Sequence, residues 1–231
     1  MKNPLIIALD VETAEQARAL VAQLGEDATF YKVGMELYAA AGMDFVRELI
    51  GQDKRVFLDL KMYDIGETVK RAVAQVARLG VTLTTVHGSG PVMRAAVEGR
   101  GNAELKLLGV TVLTSFDKED LADLGYPCEV GDLVKLRVRK AMEAGMDGLV
   151  CSPLEVAAVR ELTGPGAVLV TPGVRSAGAG KGDQKRVATP AEAMHNGATY
   201  LVIGRQVTRA ADPRAEVRKI LDEISVAAMQ K

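Results

Sequence analysis

Lys32, Asp59, Lys61 and Asp64 are the residues whose types and spacing can do chemistry together. Asp59-x-Lys61-x-x-Asp64 closes one apolar run, and Lys32 lies near the end of the run before it. Residues two apart on a strand point to the same face, about 6.5–7 Å apart along the chain, so Asp59 and Lys61 are expected to share a site. One charged residue at a strand end reads as a solvated rim residue. Two lysines and two aspartates aimed at one mouth are costly to desolvate unless they pair, and that cost argues for a purpose. The chemistry such a set offers is electrostatic. A fixed ammonium stabilises negative charge developing beside it and can then hand over a proton.

A second group lies further along. Pro172-Gly173-Val174-Arg175 and Gly204-Arg205 each follow an apolar run. The glycines let backbone N–H groups approach an anion, and the arginines can grip phosphate with a fork of donors. Each pair alone reads equally well as a turn glycine beside a surface arginine. Residues 176–186 contain three glycines and no apolar anchor, the pattern of a mobile lid, with Gln184 as the donor it would bring to a phosphate. His87 at a strand end reads as a hydrogen-bonded structural residue, and His195 as a surface residue of a helix. The scattered methionines read as core filling.

The elements that must position these groups follow from the hydropathy pattern. Strands are expected at Leu5–Leu9, Thr29–Val33, Arg55–Leu60, Thr82–Val86, Lys106–Val112, Gly148–Cys151, Ala167–Thr171 and Tyr200–Ile203. Several are nearly continuous apolar runs, as in parallel strands buried on both faces. Helix punctuation separates them. Thr13-x-x-Gln16 is a capping box ahead of Ala17, Leu20, Val21 and Leu24 at helical spacing. Val69, Ala72, Val73 and Val76 repeat that spacing before Gly80. Thr189-Pro190-x-Glu192 opens a helix that Gly197 closes, and Asp212-Pro213 opens the last one. The long gap at Ser115–Gly131 is expected to hold an inserted loop or short helix.

Strands alternating with helices predict an α/β fold, a single (β/α)₈ TIM barrel spanning residues 1–231 as one domain. A doubly wound sheet is the alternative, and no strand-linked G-x-G-x-x-G supports it. In a barrel, function collects at the carboxy-terminal strand ends, and phosphate often binds after strands seven and eight, where Arg175 and Arg205 fall. Asp10 ends the first strand and Thr114 follows the fifth.

Composition narrows the class. Lys plus Arg is 29 and Asp plus Glu is 30 in 231 residues, a net charge of −1 that argues against a nucleic-acid binder. No uncharged apolar run approaches the roughly 18 residues of a membrane span. The apolar stretch ending at Asp10 is too short for a signal sequence. Cys128 and Cys151 are unclustered and read as buried small hydrophobes of a reduced, cytoplasmic protein.

The motifs resemble the orotidine 5′-phosphate decarboxylase family across nearly the whole chain. They are ALD at Ala8–Asp10, YKVG at Tyr31–Gly34, FLDLKMYDI at Phe57–Ile65, TVLTS at Thr111–Ser115, TPGVR at Thr171–Arg175, GDQKRVATP at Gly182–Pro190 and VIGR at Val202–Arg205. D-x-K-x-x-D with an upstream lysine is the specific part. The resemblance implies conversion of orotidine 5′-phosphate to UMP in pyrimidine biosynthesis, with no cofactor and no metal. It implies that Lys32, Asp59, Lys61 and Asp64 form a Lys-Asp-Lys-Asp network. In it, Lys61 is the proton donor to C6 and Asp59 lies near the departing CO₂. Asp64 would come from the other subunit of a homodimer, with Ile65 and Thr68 beside it. Asp10 matches a ribose-hydroxyl ligand and Thr114 a hydroxyl at the pyrimidine edge. Gln184, Arg175 and Arg205 match the phosphate grip, with Pro172, Gly173 and Gly204 in the same loops. The chain departs from the family's usual DIPNTV at Gly66-Glu67, which replace Pro-Asn, and the usual His-Gly-x-Gly-Gly stretch ends here in Pro91.

Three other readings share parts of this pattern. Sugar-phosphate decarboxylases of the same barrel group use D-x-K-x-x-D with Mg²⁺ and carry Glu where this chain has Lys32. A metal site wants oxygen ligands, and an ammonium there opposes it. A Schiff-base aldolase using Lys61 and a non-catalytic phosphate-binding barrel are the others.

Overall fold

A computed structural model describes residues 3–177 and 187–229. Eight strands form a closed parallel barrel in chain order. They are β1 (Leu5–Ala8), β2 (Phe30–Gly34), β3 (Arg55–Met62), β4 (Leu83–His87), β5 (Lys106–Val110), β6 (Gly148–Val150), β7 (Val168–Thr171) and β8 (Tyr200–Ile203). The ring closes where β8 pairs with β1 through Leu201 and Leu5. Closure rules out the doubly wound alternative, since that sheet keeps two open edges. The expected strands all occur, with shifted ends: Leu9, Val112 and Cys151 fall outside, while β3 runs on to Met62 and β4 to His87.

The helices are α1 (Ala14–Leu24), α2 (Met35–Gly51), α3 (Gly66–Arg78), α4 (Gly90–Arg100), α5 (Lys118–Asp123), α6 (Val130–Ala144), α7 (Val156–Thr163), α8 (Pro190–His195), α9 (Arg205–Thr208) and α10 (Pro213–Met229). Local chemistry accounts for several ends. Thr13 and Gln16 form the capping box of α1, and Thr189 and Glu192 that of α8. Asp212 accepts the Ala215 amide at the start of α10. The Ser115–Gly131 gap holds α5, capped by Asp117. The Gly66-Glu67 departure leaves α3 intact: the helix starts at Gly66 and buries Val69, Val73 and Val76. His195 is exposed in the last turn of α8.

Two apolar cores follow from the strand period of two. The larger lies between strands and helices and takes residues such as Ile7, Tyr31, Val33 and Leu58. The smaller fills the barrel with Ile6, Ala8, Phe30, Phe57, Leu83, Leu108, Val170 and Val202. The same alternation carries the inward face from Phe30 to Lys32, from Phe57 to Asp59 and from Leu83 to Thr85. The interior thus turns polar toward its carboxy-terminal mouth.

Candidate active site

At that mouth, Lys32 and Asp59 are buried. Lys61 Nζ donates to Asp59 Oδ2 at 2.9 Å. Lys32 Nζ stands 4.0 Å from the same oxygen and donates to Asp10 Oδ1 at 2.8 Å. Asp59 Oδ1 accepts from the Thr85 hydroxyl at 2.8 Å. Asp10, Lys32, Asp59 and Lys61 therefore form one continuous chain of opposite charges, which offsets the cost of desolvating them.

The backbone reaches this arrangement differently from a regular strand. From Leu58 to Met62, β3 advances four residues while β4 advances two, from Thr84 to Val86, so β3 bulges. Lys61 lies within the bulge at φ +48°, a left-handed value rare outside glycine. Its convergence with Asp59 rests on this bulge, not on the simple alternation expected from a flat strand. Gly34 stands beside Asp59 in the β2–β3 ladder. A Cβ there would lie 2.8 Å from Lys32 Nζ, so only glycine leaves the ammonium its place.

Asp64 stands apart from the network. It is exposed, and its Oδ1 accepts from the Ile65 amide at 2.6 Å. Tyr63 and Ile65 on either side are also exposed. Thr68 sits half-buried in the first turn of α3.

Two adjoining cavities share Lys32, Pro172 and Val202. The inner one, about 220 Å³, has apolar walls from Phe57, Val110, Val150 and Val202, with Asp59, Lys61, Thr114 and Ser115 at its edge. The outer cleft holds Asp10, Gly173, Arg175, Gly204 and Arg205. Gly173 has φ +76°, a conformation that favours glycine. Burial pushes the Arg175 guanidinium below its ordinary pKa, and the like charge of Arg205 adds to this. Two neighbouring cations in a cleft are the electrostatic complement of a phosphate. Gln184 and the rest of 178–186 lie outside the described residues.

The expectation for His87 needs correcting. Its Nδ1 is buried with no hydrogen-bond partner among the described residues, and its ring lies against Tyr63 with centroids 4.4 Å apart. Cys151 is buried, but Cys128 is only half-buried. No group of three or more His, Cys, Asp or Glu side chains fit to hold a metal occurs among the described residues. No helix among them is long and apolar enough to cross a membrane.

Residues 3–220 match the orotidine 5′-phosphate decarboxylase / HUMPS family. The chain belongs to this family. Among curated relatives, orotidine 5′-phosphate decarboxylase of Rhodopseudomonas palustris (strain BisA53) is 53% identical over 96% of this chain and 95% of its own. That of Nitrobacter winogradskyi is 52% identical over 97% and 93%. The crystal structure of orotidine 5′-phosphate decarboxylase from Lactobacillus acidophilus superposes with a TM-score of 0.83 at 36% identity, covering 96% of this chain and 99% of that one.

In this member of the orotidine 5′-phosphate decarboxylase / HUMPS family, sequence reading missed Thr84, Thr85 and the steric role of Gly34. Strand parity carried a signal for Thr85, since Leu83 points inward and a residue two further on does too. The β3 bulge had no comparable signal.

Proposed function

We propose that this protein is an orotidine 5′-phosphate decarboxylase that forms UMP for pyrimidine biosynthesis without metal or cofactor. The observation that carries this reading is the Asp10–Lys32–Asp59–Lys61 charge chain beside an apolar cavity, next to a cleft with two guanidinium groups. In this reading the phosphate lies against Gly173, Arg175, Gly204 and Arg205, with Gln184 joining the grip. Asp10 meets the ribose hydroxyls. The pyrimidine enters the cavity past Pro172, with its edge at Thr114.

The bond from C6 to the carboxylate breaks, CO₂ leaves, and the electron pair stays on C6. The Lys61 ammonium, held by Asp59, lies where it stabilises that charge, and an Nζ proton passes to C6. Lys61 is left neutral and regains a proton from water. Binding energy from the distant phosphate offsets orientation and closure.

The sugar-phosphate alternative requires a divalent cation among oxygen ligands. Lys32 Nζ already occupies the space between Asp10 and Asp59, at 2.8 and 4.0 Å, which disfavours a metal there. The reading extends to a cytoplasmic homodimer built from one barrel domain per chain, residues 1–231. In it, Asp64, Ile65 and Thr68 serve the partner's site; the exposure of Tyr63 and Ile65 around Asp64 supports this.

The test is loss of orotidine 5′-phosphate followed with and without EDTA. Turnover that survives exhaustive chelation is expected. Activity lost to EDTA and restored by Mg²⁺ favours the sugar-phosphate class, and no turnover at all overturns the assignment.

A further inference from the structure

At the bulge in β3, two buried threonines of β4 bond to its backbone groups. The Thr84 hydroxyl donates to the Leu58 carbonyl at 2.8 Å. The Thr85 hydroxyl accepts from the Lys61 amide at 2.9 Å and donates its only proton to Asp59 Oδ1 at 2.8 Å. Both side chains are fully buried. Their roles differ, because the Thr84 hydroxyl bonds to a carbonyl while the Thr85 hydroxyl joins the backbone of one ionisable residue to the carboxylate of another.

Resting on the decarboxylase reading above, we propose that Thr85 is a positioning residue that sets the Asp59–Lys61 pair for proton transfer. The geometry gives it two handles. Its bond to Oδ1 fixes the rotation of the Asp59 carboxylate, so that Oδ2 faces both ammonium groups, at 2.9 Å to Lys61 and 4.0 Å to Lys32. Its bond from the Lys61 amide holds the left-handed backbone from which that side chain departs. A β-branched side chain is stiff at χ1, so one residue sets both contacts with little rotational freedom. Valine keeps the shape and loses both bonds; serine keeps the hydroxyl and loses a methyl group.

The experiment compares Thr85→Val with wild type and Thr85→Ala with Thr85→Ser, each pair differing chiefly in the hydroxyl. Hydrogen bonds to charged groups are the strong ones, so removing the hydroxyl is expected to lower kcat roughly ten- to a hundredfold. KM for orotidine 5′-phosphate should change by less than about threefold, because the phosphate grip is untouched. Thr85→Ser should recover kcat to within about threefold of wild type. A merely structural role lowers the melting temperature in all three variants without this split. If the valine variant does not fold, the alanine–serine pair carries the comparison. Equal kcat in the hydroxyl-bearing and hydroxyl-lacking members of a pair overturns the proposal. Wild-type turnover tests the decarboxylase reading separately. If wild type is inactive, crystal structures of wild type and Thr85→Val still decide: separation of Lys61 Nζ from Asp59 Oδ2 in the variant supports positioning, and an unchanged distance overturns it.

Discussion

At the amino-terminal end of the barrel, Asp147 accepts from Arg100, from Lys106 Nζ at 3.1 Å and from the Leu107 amide at 2.9 Å. Nearby, the Arg55 guanidinium lies 4.3 Å from the Phe30 ring centroid and 5.8 Å from that of Tyr200. At the carboxy-terminal end, Asp59 also gathers donors, but two of them are ammonium groups bordering an open cavity. The Lys61 side chain keeps 32% of its surface exposed there, on a backbone at φ +48°. Charge at the floor neutralises charge and ties strand starts together. At the mouth, strained backbone and partly exposed charge are kept where a substrate can complete them, a pattern typical of functional sites.

The sharpest way to break this contrast is Lys61→Ala. If the mouth exists for chemistry, kcat should fall by at least roughly a thousandfold, since fixed charge at the reacting atom is usually the largest catalytic term. Stability should fall by a modest amount, because alanine keeps the Cβ and with it the strain at φ +48°, while Asp59 loses its nearest ammonium and retains Lys32 and the Thr85 hydroxyl. Steady-state kinetics and thermal unfolding on the same preparation measure both. Near wild-type kcat would sink the role given to Lys61.

Asp147→Ala is the matching change at the floor. It leaves Arg100 and Lys106 without their carboxylate and the Leu107 amide without its acceptor. The site is partly exposed, so the expected cost is about 2 kcal/mol of folding stability, below the figure for a fully buried pair. Denaturant unfolding measures it, and kcat per folded enzyme should stay within about twofold of wild type. A floor variant that lost kcat but kept its stability would erase the distinction between the two ends.

Much of this contrast was legible beforehand. Lys32, Asp59 and Lys61 announce themselves because charged residues inside apolar runs are costly and conspicuous. Arg175 and Arg205 were readable from their place after the last two strands, with the cleft between them a consequence of closure. Thr85 was hidden because a threonine in a strand is ordinary β-former chemistry, and its meaning depends on which residue faces it across the ladder. The bulge was hidden for the same reason: it is a property of two strands in register, and neither strand's own pattern records it. His87 was misread because sequence carries no record of whether a partner lies within reach of a buried nitrogen.

Asp64 sharpens the contrast in another way, since it belongs to the mouth by sequence and yet stands outside this chain's own network. On the shared-site dimer reading, Lys61→Ala and Asp64→Ala dimers should each be nearly inactive. Mixed, they give about half heterodimers, each with one site that takes Lys61 from one chain and Asp64 from the other. About a quarter of wild-type activity should return after subunit exchange. No recovery, with exchange verified, would place Asp64 in its own chain's site and leave the decarboxylase reading standing.

The smallest effect expected is a pH dependence of stability that originates at the mouth. Burial pushes the His87 pKa below its ordinary 6.5, and the nearby Arg137 charge adds to this. The folded chain therefore holds the proton less well than the unfolded chain. Above about 6.5 both states are neutral at this residue and it contributes no pH dependence. As pH falls through that value the unfolded chain takes up the proton first, so stability declines, and the decline ends once the folded state is protonated too. His87→Gln removes the titration. The unfolding free energies of wild type and variant, measured from pH 7.5 down to 5.5, should therefore converge or cross as wild type loses more. Curves that stay parallel would mean that His87 is protonated equally well in both states, and that the unpartnered Nδ1 finds an acceptor when charged.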